Sequence, residues 1–448
     1  MQRNLLAVAV CFIANAWLCA SARAQIQTIG NSTTDSSDAT LKSAYSTSRT
    51  APLASGMNAE LETRVMRDTN VFSNNARPSS DLIYEEGAVI NLWKSQPRWN
   101  FALQYRPTAV LYQKDSSLNA FDQGLNLVGG YSFTPRLRLT GTETFDVRTG
   151  ELPPSSNQYF VLPTSSVPGL NNTLIAPTSR EIGNSSQGEI EYDVSPRTTL
   201  DFTGGYLLQH FSGINTQQQG VLPATLLDTN GATGGADYRY RISERFTVGL
   251  RYLYQYFHYG TGGSDETNSG FLTAHWDVKQ YASVDLYGGP SDSAAVGTSS
   301  LLPVVNQTSG TFHSLSPAFG GTFSLRSDET VFNVSAEHSV SNGGGLLMTV
   351  TSDYEGAELR RHLGENWDFI LMGSYGRAVA LQSQNGKGKA DTQSIATAFE
   401  RPLLEKLSIH VEYDYLRQRV NQFVPLGSNV NETELSLSLF YRMGAPRL

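Results

Sequence analysis

The chain contains 448 residues, with 33 lysines and arginines against 41 aspartates and glutamates, and its formal net charge is −8 at pH 7. This acidic balance excludes a general nucleic-acid-binding protein, which needs a basic surface. The only two cysteines, Cys11 and Cys19, lie close to the N-terminus. The remainder of the chain therefore has no disulfide, no cysteine-ligated zinc and no cysteine nucleophile.

The first 24 residues have the pattern of a Sec-type secretory signal peptide. Arg3 supplies a basic start, an apolar run extends from Leu5 to Cys19, and residues 22–24 read Ala-Arg-Ala, a small-x-small cleavage site. The apolar run is too short to cross a membrane as a helix. Cleavage would remove two arginines and leave 31 basic against 41 acidic residues, a net charge of −10.

Two further segments follow the predicted signal peptide. Residues 25–55 are rich in Ser and Thr, which predicts a disordered periplasmic leader, with a short plug inside the lumen as the alternative. Residues 56–448 contain no apolar run of the roughly 18 residues that a membrane helix needs. If this segment spans a membrane, it must do so as a closed β-barrel.

Long alternation of apolar and polar residues is the main structural signal. In Thr433–Met443, five apolar residues share one parity and Ser436, Ser438 and Arg442 occupy the other. Phe246–Tyr256 alternates in the same way. Such runs last nine to eleven residues, longer than the five or six typical of soluble sheets. They favour strands that cross a bilayer at a tilt over a soluble all-β fold.

Eighteen such segments follow one another between residues 57 and 443, and a merged hairpin would reduce the number to sixteen. Their connections alternate between tight turns, such as Thr134–Pro135 and Ser243–Arg245, and mostly longer loops rich in Gly, Ser and Asn. The pattern predicts an all-β, transmembrane, antiparallel up-and-down barrel of about 18 strands. Tight turns should face the periplasm and long loops the outside.

The polar parity predicts which charged residues line the lumen. These candidate pore-lining residues carry both signs, and the open question is whether they only solvate the wall or also orient a polar solute. They are Arg64, Arg106, Arg138, Arg148, Arg239, Arg241, Arg251, Arg442, Glu189, Glu191, Asp193, Asp201, Asp237, Glu412 and Asp414.

The longest connection, Glu151–Arg180, is unusual because it carries no charge between its terminal residues. Tyr159–Leu170 within it is apolar, and Tyr159 and Phe160 are candidates for a constriction that folds into the pore. An extracellular cap formed with two other apolar loops is an equal alternative.

No sequence motif indicates catalysis. The seven histidines lie on different strands, and none belongs to a known hydrolase or metal-binding motif. His210 and His258 fall on the apolar parity near strand ends, where an interfacial structural role is favoured over a Ser–His catalytic pair. We therefore predict no catalytic residue, no metal and no cofactor.

Several short stretches resemble the outer-membrane β-barrel porin family of Gram-negative bacteria. They are R-V-M-R-D-T-N-V-F-S (Arg64–Ser73), W-N-F-A-L-Q-Y (Trp99–Tyr105) and Y-S-F-T-P-R-L-R-L (Tyr131–Leu139). The resemblance implies an outer-membrane channel, and some members are linked to exopolysaccharide export. It departs at the end of the chain, where a tail replaces the usual terminal aromatic residue.

The sequence thus predicts a porin-like channel for passive diffusion or export of polar solutes across the Gram-negative outer membrane. Expected partners are outer-membrane lipid and lipopolysaccharide, the barrel-assembly machinery and an unidentified polar solute, with no nucleic acid. One alternative is a barrel enzyme acting on lipid or lipopolysaccharide, which a Ser–His pair on the outer wall would favour. Another is a non-conducting barrel that anchors a polysaccharide export machine, which a filled lumen would favour.

Overall fold

A computed structural model describes the structure of most of the predicted barrel. The predicted signal peptide and nearly all of the predicted leader lie outside the described residues, as does the candidate constriction Tyr159–Leu170. The described ranges are 55–72, 78–150, 179–213, 226–260, 262–297, 310–343, 347–364, 366–381, 388–421 and 429–443.

Eighteen antiparallel strands make up almost all of this structure, which confirms the predicted fold class and strand number. A single 3₁₀ turn, Ser116–Leu118, is the one helical element among the described residues. No helix in these ranges is long and apolar enough to span a membrane. The strands are β1 (Ser55–Asp68), β2 (Asp81–Ser95), β3 (Trp99–Tyr112), β4 (Ala120–Thr134), β5 (Leu137–Gly150), β6 (Ser179–Ser195), β7 (Thr198–Gly213), β8 (Thr229–Ser243), β9 (Phe246–Tyr259), β10 (Ser264–Lys279), β11 (Ala282–Gly297), β12 (Gly310–Arg326), β13 (Thr330–Gly343), β14 (Leu347–Leu363), β15 (Trp367–Ala380), β16 (Lys389–Leu404), β17 (Leu407–Val420) and β18 (Val430–Met443).

The sheet closes into a cylinder. Each strand pairs with the next along the chain, and β1 also pairs with β18, from Ala59 opposite Met443 to Asp68 opposite Glu434. Closure removes the free edges that an open sheet would present. It also divides the side chains into two sets, because successive residues of a strand point to opposite faces of the wall.

The outward set is apolar. Leu250, Leu272 and Leu315 are 59%, 69% and 76% exposed, and aromatic residues such as Trp276 and Tyr441 lie toward the strand ends on the same face. A continuous apolar outer surface bordered by aromatic residues matches a barrel that faces lipid. The alternation seen in the sequence therefore separates a lipid-facing wall from a polar lumen.

One seam of the wall is incomplete. β12 and β13 pair only from Arg326 opposite Val331 to Phe319 opposite His338, although both strands continue beyond this point. β12 remains paired with β11 along its whole length, up to Gly297 opposite Gly310. The outer part of the β13–β14 hairpin is therefore separated from β12.

Closure can be tested with a cysteine pair, because the mature chain is predicted to have no cysteine. Val65 and Leu437 are directly opposite on β1 and β18. We expect Val65→Cys/Leu437→Cys to form a disulfide that changes the gel mobility of the boiled, unreduced protein. Leu61→Cys/Leu437→Cys, which joins positions four residues out of register, should not. Equal cross-linking of both pairs would contradict the register.

The orientation of the wall can be tested at two adjacent positions. Leu250 faces outward, whereas Arg251 faces inward and bonds Asp237. Leu250→Arg should reduce the yield of assembled barrel, since an arginine facing the bilayer midplane costs about 2–4 kcal/mol. Arg251→Leu should have a milder effect. Heat-modifiable gel mobility measures assembled barrel, and equal losses would show that the assigned faces are wrong.

Candidate pore lumen

The strand registers place all fifteen predicted pore-lining residues on the inward face. Asp237 pairs with Arg251, for example, while the neighbouring pair Tyr238 and Leu250 is exposed on the outside. Their placement inside the barrel follows from parity, and their role in lining an open pore stays a prediction. The structure adds which of these residues come together, and this differs between two sides of the lumen.

One side carries a belt of charges across β5 to β9. Its members are successive cross-strand partners, so the belt follows the hydrogen-bonding direction around the wall. We call it the charge belt, and it consists of Arg138, Glu191, Asp201, Asp237 and Arg251, together with Arg239 on β8.

Ion pairs hold the charge belt together. Arg239 Nη2 lies 2.7 Å from Asp201 Oδ2, and Arg251 Nη2 lies 2.7 Å from Asp237 Oδ2. Arg138 bonds Glu191 in the same way. The three acidic partners are directly opposite one another, an arrangement that is unfavourable without compensating cations. The arginines therefore stabilise the row as well as occupying it.

The charge belt faces open space. The side chains of Arg138, Arg239 and Arg251 are 42%, 42% and 48% exposed although they point into the barrel. Their acidic partners are more covered, with Asp201 at 5% and Asp237 at 11%. The surface presented to the lumen is consequently dominated by guanidinium groups, which bind carboxylates and phosphates well.

The opposite arrangement occurs where the barrel closes, at β17, β18, β1 and β2. Arg64 and Glu412 are only 4% and 1% exposed, and Arg64 lies 3.4 Å from Glu85 and 3.7 Å from Glu412. His410, on the same inward face, is 1% exposed. Inward side chains fill the lumen here and pack against one another. This side contributes to the wall's stability rather than to an open passage.

Above Arg64, four acidic residues are direct cross-strand neighbours on β17, β18, β1 and β2: Asp414, Glu434, Asp68 and Asp81. Backbone donors satisfy part of this row. Asp81 accepts from the amides of Leu82 and Lys114 at 2.7 and 3.1 Å, and Asp68 accepts from the Asn70 amide at 2.6 Å. Part of the row therefore orders the connections beside it.

Among the described residues, two groups of carboxylates have the spacing that a cation needs, with ligand atoms within 4.8 Å of one another. Asp68 and Glu434 of the acidic row form the first group together with Glu432. Glu189, Glu191 and Asp201 form the second, where Arg239 lies 2.7 Å from Asp201 and 3.7 Å from Glu191. The arginine already supplies the positive charge in the second group.

The β13–β14 hairpin crosses the outer half of the lumen. Asn342 Nδ2 donates to Gln209 Oε1 on β7 at 3.2 Å, and the hydroxyl groups of Tyr259 on β9 and Thr349 on β14 are 3.3 Å apart. β9 and β14 are five strands apart, or about 24 Å along the wall. The contacts therefore bridge the lumen rather than follow its wall, and they narrow the passage.

Apolar packing supports this bridge. Leu347 and Val350 of β14 form a buried inward cluster with alanines of β15 and β16, and Leu226, just before β8, packs against it. Met348 packs against a second cluster formed by Leu207, Phe257 and Tyr259. The hairpin thus lies between two buried apolar clusters on the inner side of the barrel.

Sequence reasoning missed this constriction. The connection at residues 342–345 is one of those that the sequence predicts to face the outside. The constriction candidates of the longest loop, Tyr159 and Phe160, lie outside the described residues. A signal was present in Ser339–Gly345, S-V-S-N-G-G-G, which lacks the alternating large apolar residues of a lipid-facing strand.

Four histidines bond carboxylates. Their Nδ1 atoms pair with Asp228, Asp285, Asp353 and Asp368, and none of these four bonds is to a serine. The histidines are His210, His275, His338 and His362. His210 lies near the end of β7 and faces outward, as its parity predicted, and His258 has the same position and face on β9.

Comparisons with known proteins give distant structural similarity only. No protein-family model and no curated protein matches the chain. Among solved structures, the Pseudomonas aeruginosa outer-membrane porins OccK5 (OpdH) and OccK9 (OpdG) are 15% and 14% identical, with TM-scores of 0.40 and 0.43. In each case 86% of this chain and 98% of the other are covered. Acinetobacter baumannii OccAB3 is 12% identical, with a TM-score of 0.41, and the match covers 86% of this chain and 99% of the other. At these scores the likeness carries no functional conclusion.

The two sides of the lumen should respond differently to loss of an arginine. Arg64→Met leaves the buried Glu412 and the partly exposed Glu85 without their cation, and removing one partner of a buried pair costs about 3–5 kcal/mol. Arg138→Met removes a 42% exposed side chain and should cost about 1 kcal/mol or less. Urea unfolding of barrels refolded in lipid measures both, and similar losses would contradict the distinction between a filled and an open side.

Proposed function

We propose that this protein is a porin-like outer-membrane channel through which polar solutes diffuse passively. The observation that carries the proposal is the exposure of the charge belt, whose three arginines are 42–48% exposed inside a closed barrel. Guanidinium groups remain that exposed only when they face water. An 18-stranded barrel is also wide enough for an aqueous passage.

The charge belt also suggests which solutes would pass. Its carboxylates are covered by their partners, whereas its guanidinium groups extend into the lumen. A solute carrying a carboxylate or phosphate would therefore be favoured at this level of the pore, although the chain as a whole is acidic. The electrostatic potential that a solute meets at this level depends on the exposed guanidinium groups beside it more than on the net charge of the whole chain.

Outer-membrane localisation, the signal peptide, and contacts with lipopolysaccharide and the barrel-assembly machinery belong to the same proposal. The apolar outer wall supports a lipid environment. The second candidate is a non-conducting barrel that anchors an export machine, and the filled side around Arg64 together with the hairpin in the lumen favours it. The barrel-enzyme alternative rests on a Ser–His pair, whereas the histidine bonds described above are to carboxylates.

Single-channel recording of the refolded protein in planar bilayers tests the proposal. We expect discrete conductance steps and, in a KCl gradient, a reversal potential that shows anion preference. Arg239→Gln should shift the reversal potential toward cation preference, because it uncovers Asp201 while removing the exposed guanidinium group.

Arg361→Gln is the matched control, since Arg361 is an exposed arginine on the outward face of β14. It should leave the reversal potential unchanged. Absence of conductance in correctly folded protein would reject the channel and favour the anchoring barrel.

A further inference from the structure

The β13–β14 hairpin is detached from the wall on one side only. On the β12 side, pairing ends at Phe319 opposite His338. On the β15 side it persists, with Val350 opposite Ala380 and a further bond from the Leu381 amide to the Thr349 carbonyl at 3.0 Å. The hairpin thus stays paired with β15 while it is displaced into the lumen, and β12 remains in the wall without it.

A proline accounts for the place where the pairing ends. Pro317 lies two residues beyond the last pair and is directly opposite Pro290 on β11. Opposed residues of an antiparallel pair exchange either two hydrogen bonds or none, and two prolines have no N–H to exchange. The Pro290–Pro317 pair is therefore a non-hydrogen-bonded one, and the backbone N–H that Pro317 lacks would have pointed toward β13.

Pro290 on β11 shows the corresponding gap on its other side. The missing donor of Pro290 must face β10, and the β10–β11 register passes from Ser269 opposite Ser291 directly to Leu272 opposite Gly288, with no pair at Pro290. A proline in a strand is tolerated where its N-side edge is unpaired. Pro317 therefore weakens the β12–β13 seam just above Phe319 and His338.

A stacked pair marks the last point where the seam is closed. The rings of Phe319 and His338 are 5.2 Å apart and nearly parallel, and His338 Nδ1 bonds Asp353 on β14. Above this point, the polar contacts that the hairpin makes across the lumen include those of Asn342 with Gln209 and of Thr349 with Tyr259.

The wall itself offers the hairpin a second position. Extending the β12–β13 register would place Ser341 opposite Ser316 and Ser339 opposite Ala318. These inward residues are small, so they can become neighbours without a clash. Pairing would satisfy backbone groups at the edge of β12, except that Pro317 has no N–H to donate. The cost of one missing hydrogen bond is modest compared with the backbone bonds gained.

We propose that the described outer ends of the β13–β14 hairpin, Ser339–Gly343 and Leu347–Thr349, form the gate of this pore. It moves between the tucked position of this structure, bonded to Gln209 and Tyr259, and a zipped position paired with β12, and Pro317 sets the balance between them. The gating role rests on the proposed channel function. The two positions of the hairpin are independent of whether the barrel conducts. Zipping moves Ser339–Gly343 from the lumen into the wall and so widens the passage.

Cysteine pairs can trap each position in the full-length refolded barrel. Gln209→Cys/Asn342→Cys, linked by a two-carbon bis-methanethiosulfonate, holds the tucked position. Ser316→Cys/Ser341→Cys, oxidised to a disulfide, holds the zipped one. Thr322→Cys/Ser335→Cys is the matched control, because Thr322 and Ser335 are already opposite each other on the same two strands.

We expect the control and the tucked pair to cross-link rapidly and the zipped pair slowly. Pro317→Val should accelerate zipped-pair oxidation severalfold, whereas Pro290→Val should not, because its missing donor faces β10. The zipped lock should raise single-channel conductance roughly twofold or more over the tucked lock.

Three results would overturn the gate. They are a tucked pair that never cross-links, a zipped pair that stays reduced even with Pro317→Val, and conductance that is equal in the two locks. Absence of conductance in every variant, with the cross-linking pattern as expected, would instead reject the channel while retaining the two hairpin positions.

Discussion

The structure depends on the closure of one hydrogen-bonded cylinder. A strand in a hydrocarbon environment has no water to satisfy its backbone, so all eighteen strands need a partner on each side, and the β1–β18 ladder supplies the last one. Because the wall is closed, every residue faces either lipid or lumen. The alternation of Leu435, Leu437 and Leu439 with Ser436 and Ser438 follows directly from this requirement.

Closure also explains why the lumen has two different sides. At β17, β18, β1 and β2, inward charges such as Arg64 and Glu412 are buried together and neutralise one another, so their contribution is to hold the ends of the chain in one wall. At β5 to β9, ion pairs of the same chemistry leave the arginines exposed. Identical residue types therefore serve stability on one side and contact with solute on the other.

At the β12–β13 seam, the pairing of two described strands stops although both strands continue beyond that point. Pro317 removes a donor at the edge of β12, and the adjoining strand carries a single apolar side chain, Val340, between Ser339 and Gly343. A strand segment without large outward side chains gains little from facing lipid. Both features lower the cost of leaving the wall, and the inward contacts of Asn342 and Thr349 then position the hairpin in the lumen.

From the sequence alone, about eighteen strands, their antiparallel order and the inward parity of the candidate pore-lining charges could be predicted. A period of two is a local property, and a tight turn connects neighbouring strands. The sequence could not determine the degree of exposure of Arg64 and Arg251, since burial depends on strands distant in the chain. Nor could it place Asn342 against Gln209, a contact across 133 residues. Pro317 was visible in the sequence, but the edge that lacks its donor is defined only by the register that sets it opposite Pro290. That register exists only in the assembled sheet, which is why the sequence offered Tyr159 as a constriction candidate and gave no indication of the β13–β14 hairpin, which the structure places in the lumen.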